Sequence, residues 1–276
     1  MNLSASDYRC YRHPDREAYI SCQRCERLIC PECMNDASVG FQCPSCIAEG
    51  AKSVRAPRTM AGGLVSTNPG VVSMTLIGIN VVAFLIQIAT GDRGSDIYQH
   101  GAMQGYVVAD GDYWRLLTSA FLHAGFLHIA FNMYALYLFG PFVERALGTW
   151  RFIVAYVTMA IFASVFVYVL TDPLTVTIGA SGAVFGLFGM ALIFLLKAKQ
   201  DVTTLLVLLA INAFLSTRGN ISWQGHLGGF VIGCVLGLAF AYAPRDRKRV
   251  VQVVAFVAVW IGMIATVVIR TNQLTG

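Results

Sequence analysis

From Val71 onward the chain is a succession of apolar runs, each close to the length that crosses a bilayer, and this removes most folds from consideration. A hydrocarbon core of ~30 Å needs about 20 apolar helical residues. Seven runs are read as spans: 71–90, 116–139, 152–170, 180–196, 202–216, 224–243 and 250–269. With no water to satisfy them, backbone N–H and C=O groups in hydrocarbon must pair internally, so such runs are helices. The expected class is an all-α polytopic membrane protein. A composition of 56% hydrophobic and only 13% charged residues, with mean hydropathy +0.62, agrees.

The apolar character is uneven. Residues 1–50 are polar and cysteine-rich and are read as a separate module, followed by a linker at 51–70. Residues 71–243 then form a six-helix core, and 244–276 a basic loop with a seventh span. No charged-then-apolar amino terminus precedes the first span, so no cleavable signal peptide is expected.

Lys and Arg concentrate in cytoplasmic loops. With the amino terminus inside, the inner flanks hold Lys52, Arg55, Arg58, Arg145, Arg151, Lys197, Lys199, Arg245, Arg247, Lys248 and Arg249. The outer flanks hold Arg93, Arg115, Arg218 and Arg270. This predicts a multi-pass plasma-membrane protein with its amino terminus cytoplasmic and its carboxyl terminus outside. The same bias accounts for most of the net charge of +5 without invoking nucleic acid.

In that orientation the even-numbered spans start at the outer face. His123, His128 and Asn132 then lie early in span two, Ser181 starts span four and His226 starts span six. If Lys197 marks the inner interface, sixteen steps of ~1.5 Å place Ser181 about 24 Å away, roughly 6 Å below the outer edge of the core. His128 and Asn132, four apart, share a helix face and offer hydrogen-bond donors at that depth.

Each of these features has an ordinary structural explanation. Gly-Ala-Ser-Gly suits a packed helix interface, and Asn132 suits interhelical hydrogen bonding. Convergence favours chemistry: beyond residue 60 there are four histidines, and three fall at one membrane depth with the serine. No Asp or Glu lies deep in an outer half-span, and Asp110, Asp112 and Asp172 are in outer loops, so a Ser–His dyad is expected rather than a triad.

The ordered motifs resemble the rhomboid family of intramembrane serine proteases. They are Trp114-Arg115, His123-x4-His128-x3-Asn132, Gly140-x3-Glu144-Arg145-x2-Gly148, Gly179-Ala180-Ser181-Gly182 and His226-x2-Gly229-x3-Gly233. The resemblance implies a six-helix catalytic core, here followed by a seventh transmembrane helix. It also implies Ser181 as nucleophile, His226 as general base and acid, and His128 and Asn132 as oxyanion stabilisers. One position departs from the pattern: Phe185 stands where family members often carry a tyrosine packed on the catalytic histidine. Gly182 and Gly186, and likewise Gly229 and Gly233, each give a smooth helix face for close approach. Trp114-Arg115 is also explained as an interface anchor, and Glu144-Arg145 as an inner-face structural pair. The short span five is expected to be the movable side through which substrate enters.

Seven of eight cysteines fall in residues 10–46, as Cys10-x2-His13, Cys22-x2-Cys25, Cys30-x2-Cys33 and Cys43-x2-Cys46. Eight ligands suffice for two tetrahedral zinc ions. A reducing cytosol disfavours disulfides, and the histidine disfavours iron–sulfur ligation. Both sites would be closed and structural, and the small module would draw most of its folding free energy from metal. The spacing resembles a B-box-like zinc finger, which implies interleaved pairing: Cys10, His13, Cys30 and Cys33 at one ion, Cys22, Cys25, Cys43 and Cys46 at the other. Sequential pairing is the alternative. A cytoplasmic protein partner is expected for the module. Nucleic acid is disfavoured, because Arg9, Arg12, Arg16, Arg24 and Arg27 are offset by Asp7, Asp15, Glu17, Glu26 and Glu32. Lone Cys234 reads as a core filler.

The leading function is therefore an endopeptidase that cuts transmembrane or near-membrane segments of other membrane proteins near the outer face, in contact with the lipid bilayer. The alternative is a catalytically silent rhomboid-like protein that binds membrane clients or acts as a chaperone. A transporter is third, since the deep spans lack a charged pathway.

Overall fold

A computed structural model describes residues 8–53, 57–66, 68–216 and 222–276, with only the backbone at 213, 215 and 216. Asp7, Arg55 and Arg218 lie outside the described residues. The chain divides into two units, Met1–Pro57 and Arg58–Gly276.

The first unit is held together by short elements between its cysteines. Hairpin strands β1 (Ile20–Ser21) and β2 (Leu28–Ile29) flank Cys22 and Cys25, and β3 (Asn35–Asp36) pairs antiparallel with β4 (Phe41–Gln42). Helix α1 (Pro44–Ser53) carries Cys46 on its inner side. Cysteine sulfurs, Ala18 and Ile29 make up the buried centre.

The second unit is a multi-pass helical membrane domain. Among the described residues five helices are long and apolar enough to span: α2 (Val71–Ala89), α6 (Phe126–Leu147), α7 (Thr149–Leu170), α10 (Trp223–Tyr242) and α11 (Lys248–Thr275). Two shorter apolar helices, α8 (Ser181–Lys197) and α9 (Thr203–Ser216), complete the seven runs read in the sequence. Buried Leu136, Phe152, Tyr156, Met159, Leu187 and Leu236 lie in the shared core of α6, α7, α8 and α10.

The second span begins later than its hydropathy suggests. Residues 116–125 are not the start of a span: α5 (Arg115–Thr118) and a 3-10 turn (Ser119–Phe121) precede α6, which then continues to Leu147. Leu116, Ala120 and Leu122 are apolar because they are buried within the protein. Hydropathy does not distinguish burial in protein from burial in lipid.

That stretch belongs to a folded cap between α2 and α6, which also contains α3 (Asp96–Gly101) and α4 (Gly105–Ala109). Arg115 is its anchor: buried, it donates from Nε to Asp112 at 2.9 Å and from Nη1 to the carbonyls of Gln99 and Ala102 at 2.7 and 2.9 Å. Trp114 donates to the His100 carbonyl at 3.0 Å. Strand β5 (Met103–Gln104) then pairs antiparallel with β6 (Val176–Thr177), tying the cap to the segment that leads into α8.

At the other end of the bundle Glu144, buried on α6, receives the backbone N–H groups of Val72 and Ser73 at 3.2 and 3.0 Å and the Ser73 hydroxyl at 2.8 Å. A carboxylate here satisfies the orphan donors and the positive dipole end of α2. The structural role expected for Glu144 is what the geometry gives. Helix α11 is fastened to α7 by Trp260 Nε1 donating to Thr158 Oγ1 at 3.2 Å and by Arg270 Nε donating to the Tyr168 carbonyl at 3.2 Å.

Candidate active site

Three helices, α6, α8 and α10, begin at the same end of the bundle, and the chemically distinctive residues sit on their first two turns. Close approach of α8 and α10 makes this arrangement possible. A Cβ on Gly229 would run into the Gly182 carbonyl oxygen, and one on Gly233 into the Gly186 carbonyl oxygen. The two glycine pairs read as smooth faces thus meet one against one, so the backbones touch.

Ser181 opens α8, and Phe185 lies one turn further on. The Phe185 ring stacks on the His226 imidazole with centroids 4.0 Å apart and planes within 9°. His226, buried on the first turn of α10, is therefore held over the first turn of α8, beside the serine's end of the helix. The aromatic face survives without a tyrosine hydroxyl. Ser222 caps α10 by accepting the Gly225 N–H at 3.3 Å.

His128 approaches from α6. Its Nδ1 accepts the Ala124 N–H at 3.3 Å, so the neutral ring carries its proton on Nε2 and presents a donor there. That nitrogen faces Gly179: a Cβ on Gly179 would lie 2.7 Å from His128 Nε2 and 3.6 Å from Ser181 Oγ. The two polar atoms border one small space that only glycine leaves open. Gly179 also has φ +130°, a backbone state that L side chains rarely adopt, and its N–H donates to the Ser119 carbonyl at 2.9 Å. Asn132, buried one turn below His128, spends one amide N–H on the His128 carbonyl at 3.0 Å and retains the other.

His123 belongs to the segment before α6 rather than to the span. It is fully buried, with its ring edge-on to His128 at 5.1 Å between centroids. Gln87 of α2 clamps its backbone, donating to the His123 carbonyl at 2.8 Å and accepting its N–H at 3.2 Å. Sequence reasoning missed Gln87. Its only signal was a buried-type amide late in an apolar span. Asp172 accepts the Leu174 N–H at 2.8 Å and so caps its own turn.

The fold and this site define a class: a multi-pass helical membrane protein with serine, two histidines and asparagine gathered at one end of the bundle. Residues 110–243 match the rhomboid domain family. YdcA of Bacillus subtilis (strain 168), a candidate rhomboid protease by its name, is 40% identical over 151 residues, covering 51% of this chain and 73% of that protein. Rhomboid protease GluP of the same strain is 33% identical over 190 residues, covering 66% of this chain and 37% of that protein. Rhomboid protease AarA of Providencia stuartii is 25% identical over 209 residues, covering 64% and 74%. The chain belongs to the rhomboid family.

The Met1–Pro57 unit carries a second set of chemically distinctive residues. Cys10, His13, Cys30 and Cys33 gather their ligand atoms within 4.8 Å of one another, and so do Cys22, Cys25, Cys43 and Cys46. The grouping is interleaved, which the sequence left open. Each group can hold a metal ion. The Cys25 and Cys43 sulfurs are 3.8 Å apart, about the edge of a tetrahedron with ~2.3 Å metal–sulfur bonds and far beyond a ~2.05 Å disulfide. The Cys43 N–H donates to the Cys22 sulfur at 3.2 Å and the Cys46 N–H to the Cys43 sulfur at 3.4 Å, bonds that favour thiolate. Burial raises Cys10 and Cys22, but the surrounding backbone N–H groups outweigh it and bring both down to about 6.

Proposed function

We propose that the chain is an intramembrane serine endopeptidase that cleaves transmembrane or near-membrane segments of other membrane proteins near the outer face. The reading rests on one observation above all, the stacking of Phe185 on His226, which brings the start of α10 over the start of α8. His226 takes the Ser181 hydroxyl proton as Oγ bonds to the scissile carbonyl carbon. Negative charge collects on the former carbonyl oxygen, where the Ser181 N–H, His128 Nε2–H and the free Asn132 N–H are donors. The positive end of α8 adds to that stabilisation. The C–N bond then breaks as His226 returns the proton to the leaving amine, and water hydrolyses the acyl-enzyme by the reverse transfers.

The remaining assignments follow the same reading. The two cysteine clusters bind structural zinc, because all-protein sets of four cysteines, or of three cysteines and a histidine, suit that ion and leave no position for a catalytic water. Residues 1–50 form this module, 51–70 a linker, 71–243 the catalytic core and 244–276 the basic loop and last span. The amino terminus is cytoplasmic, the carboxyl terminus extracytoplasmic, the membrane the plasma membrane, and a cytoplasmic protein contacts the zinc module. Helix α9, which leans mainly on α8 and exposes Leu206, Val207, Ile211 and Phe214, is the movable side for substrate entry.

A serine-directed fluorophosphonate tests the reading. Wild type should be labelled and Ser181→Ala not, and Ser181→Ala or His226→Ala should each reduce cleavage of a reconstituted membrane substrate by at least ~1000-fold. Absence of labelling in wild type would instead support a protein that binds membrane clients without cutting them, and labelling that survives Ser181→Ala would remove Ser181 as the nucleophile. Cross-linking α9 to α6 through a disulfide should block cleavage of a membrane substrate, and undiminished turnover would remove α9 as the gate.

A further inference from the structure

The two cysteine clusters differ in how much charge they would leave buried. A divalent ion held by Cys22, Cys25, Cys43 and Cys46 carries two net negative charges, whereas the cluster containing His13 carries one. One arginine answers this difference. Arg27 donates from Nε to the Cys25 sulfur at 3.2 Å and points Nη2 at the Cys43 sulfur at 4.0 Å. Among the described residues no carboxylate lies within ion-pairing distance of it, whereas Arg16, the arginine beside Cys30 of the histidine-containing cluster, is neutralised by Glu32 at 2.6 Å.

Arg27 is held in place from the opposite cluster. Its guanidinium lies 4.2 Å over the Tyr11 ring, and Tyr11 sits between the ligands Cys10 and His13. Tyr11 is fixed in turn: its N–H donates to the Leu28 carbonyl at 3.0 Å, its hydroxyl shares a 2.8 Å hydrogen bond with Ser45, and the same side chain reaches toward the Cys43 sulfur. The chain of contacts runs from the loop of one cluster, through an aromatic face and a guanidinium, to the sulfurs of the other.

We infer that Arg27 is a positioning residue for the four-cysteine metal site, and that Tyr11 couples the two sites by holding Arg27 against the sulfurs. The inference rests on the proposal that both clusters bind metal. Ordering of the Cys10–His13 loop by its own ion fixes Tyr11, and Tyr11 keeps the cation where it offsets the excess negative charge. Residues that hydrogen-bond to metal ligands commonly change metal affinity about 10- to 100-fold.

The test uses the full-length protein in detergent, loaded with cobalt(II), whose absorption bands distinguish four-sulfur from three-sulfur sites. Wild type should take up two ions per chain. Arg27→Ala should release cobalt from the four-cysteine site to a chelator about 10- to 100-fold more readily and leave the histidine-containing site unchanged. Tyr11→Leu keeps all eight ligands and Arg27 but removes the aromatic face, and should weaken the same four-cysteine site by about 3- to 10-fold. Tyr11→Phe, which keeps the face and loses only the hydroxyl near Cys43, should hold the site more tightly than Tyr11→Leu. Arg16→Ala should leave the four-cysteine site untouched. Two ions bound with no response to Arg27→Ala or Tyr11→Leu, or equal weakening of both sites, overturns the inference alone. Fewer than two ions in wild type overturns the metal reading and the inference with it.

Discussion

The two units of this chain solve the same difficulty, holding polar groups in fixed positions, by opposite means. In Met1–Pro57 the polar groups are the core: buried sulfurs occupy the centre, and little apolar surface exists to organise the fold without them. In Arg58–Gly276 the polar groups are guests of a large apolar core, and their positions are set by helices that touch backbone to backbone at Gly229 and Gly182. Removing the ligand set should dissolve one architecture, and a methyl group at the wrong glycine should dissolve the other. Chemistry is specified by ligand identity in the first unit and by packing in the second.

Metal removal should separate the two units most sharply. Structural zinc contributes roughly 10–16 kcal/mol in small metal-bound domains. Stripping metal with a strong chelator should therefore unfold Met1–Pro57 while α2, α6, α7, α8 and α10 stay protected from hydrogen exchange. Simultaneous loss of protection in the membrane helices would break the comparison. Next in size is Gly229→Val, which drives a side chain into the Gly182 carbonyl, a backbone group that does not yield. A loss of more than about 4 kcal/mol is expected, read as failure to reach a thermally stable state in detergent. Stability within about 1 kcal/mol of wild type would show that the α8–α10 contact is not what places His226.

Smaller effects should refine the picture. Glu144→Gln keeps the shape but loses the charge that receives three hydrogen bonds from Val72 and Ser73. A cost of about 1.5–3 kcal/mol in thermal stability is expected, with fluorophosphonate labelling of Ser181 retained. Phe185→Leu removes an aromatic stack worth roughly 0.5–1.5 kcal/mol, or about 2- to 12-fold in rate, whereas Phe185→Tyr should leave the rate near wild type. A large gain from Phe185→Tyr would show that the missing hydroxyl matters to how His226 is held.

Some of this was readable from residues alone. Ser181, His226, His128 and Asn132 stood out because polar side chains in long apolar runs are costly, and the glycine spacing foretold the meeting of α8 and α10. Residues 116–125 misled, because a buried cap and a lipid-facing span have the same hydropathy. Gln87 escaped because the partner that matters to the site, the backbone of His123, lies far along the chain and is brought to it by tertiary contact, which leaves no spacing in the sequence. The interleaving of the cysteine pairs was implied by the B-box-like resemblance, but spacing by twos fits either pairing, and the two clusters of ligand atoms in the fold select the interleaved one.

The sequence by itself determined that the chain crosses the membrane several times, that its N-terminal segment is organised by eight metal-type ligands, and that serine and histidines converge on one end of the bundle. These follow from the cost of polar groups in hydrocarbon and from local spacing, both written in the order of residues. Only the tertiary structure decided which cysteines share a site, that Phe185 keeps the stack on His226 without a hydroxyl, that Glu144 caps α2, and that Arg27 leans on Tyr11. Each of these joins residues brought together by folding, and such distances are fixed by how elements pack rather than by any single stretch of chain.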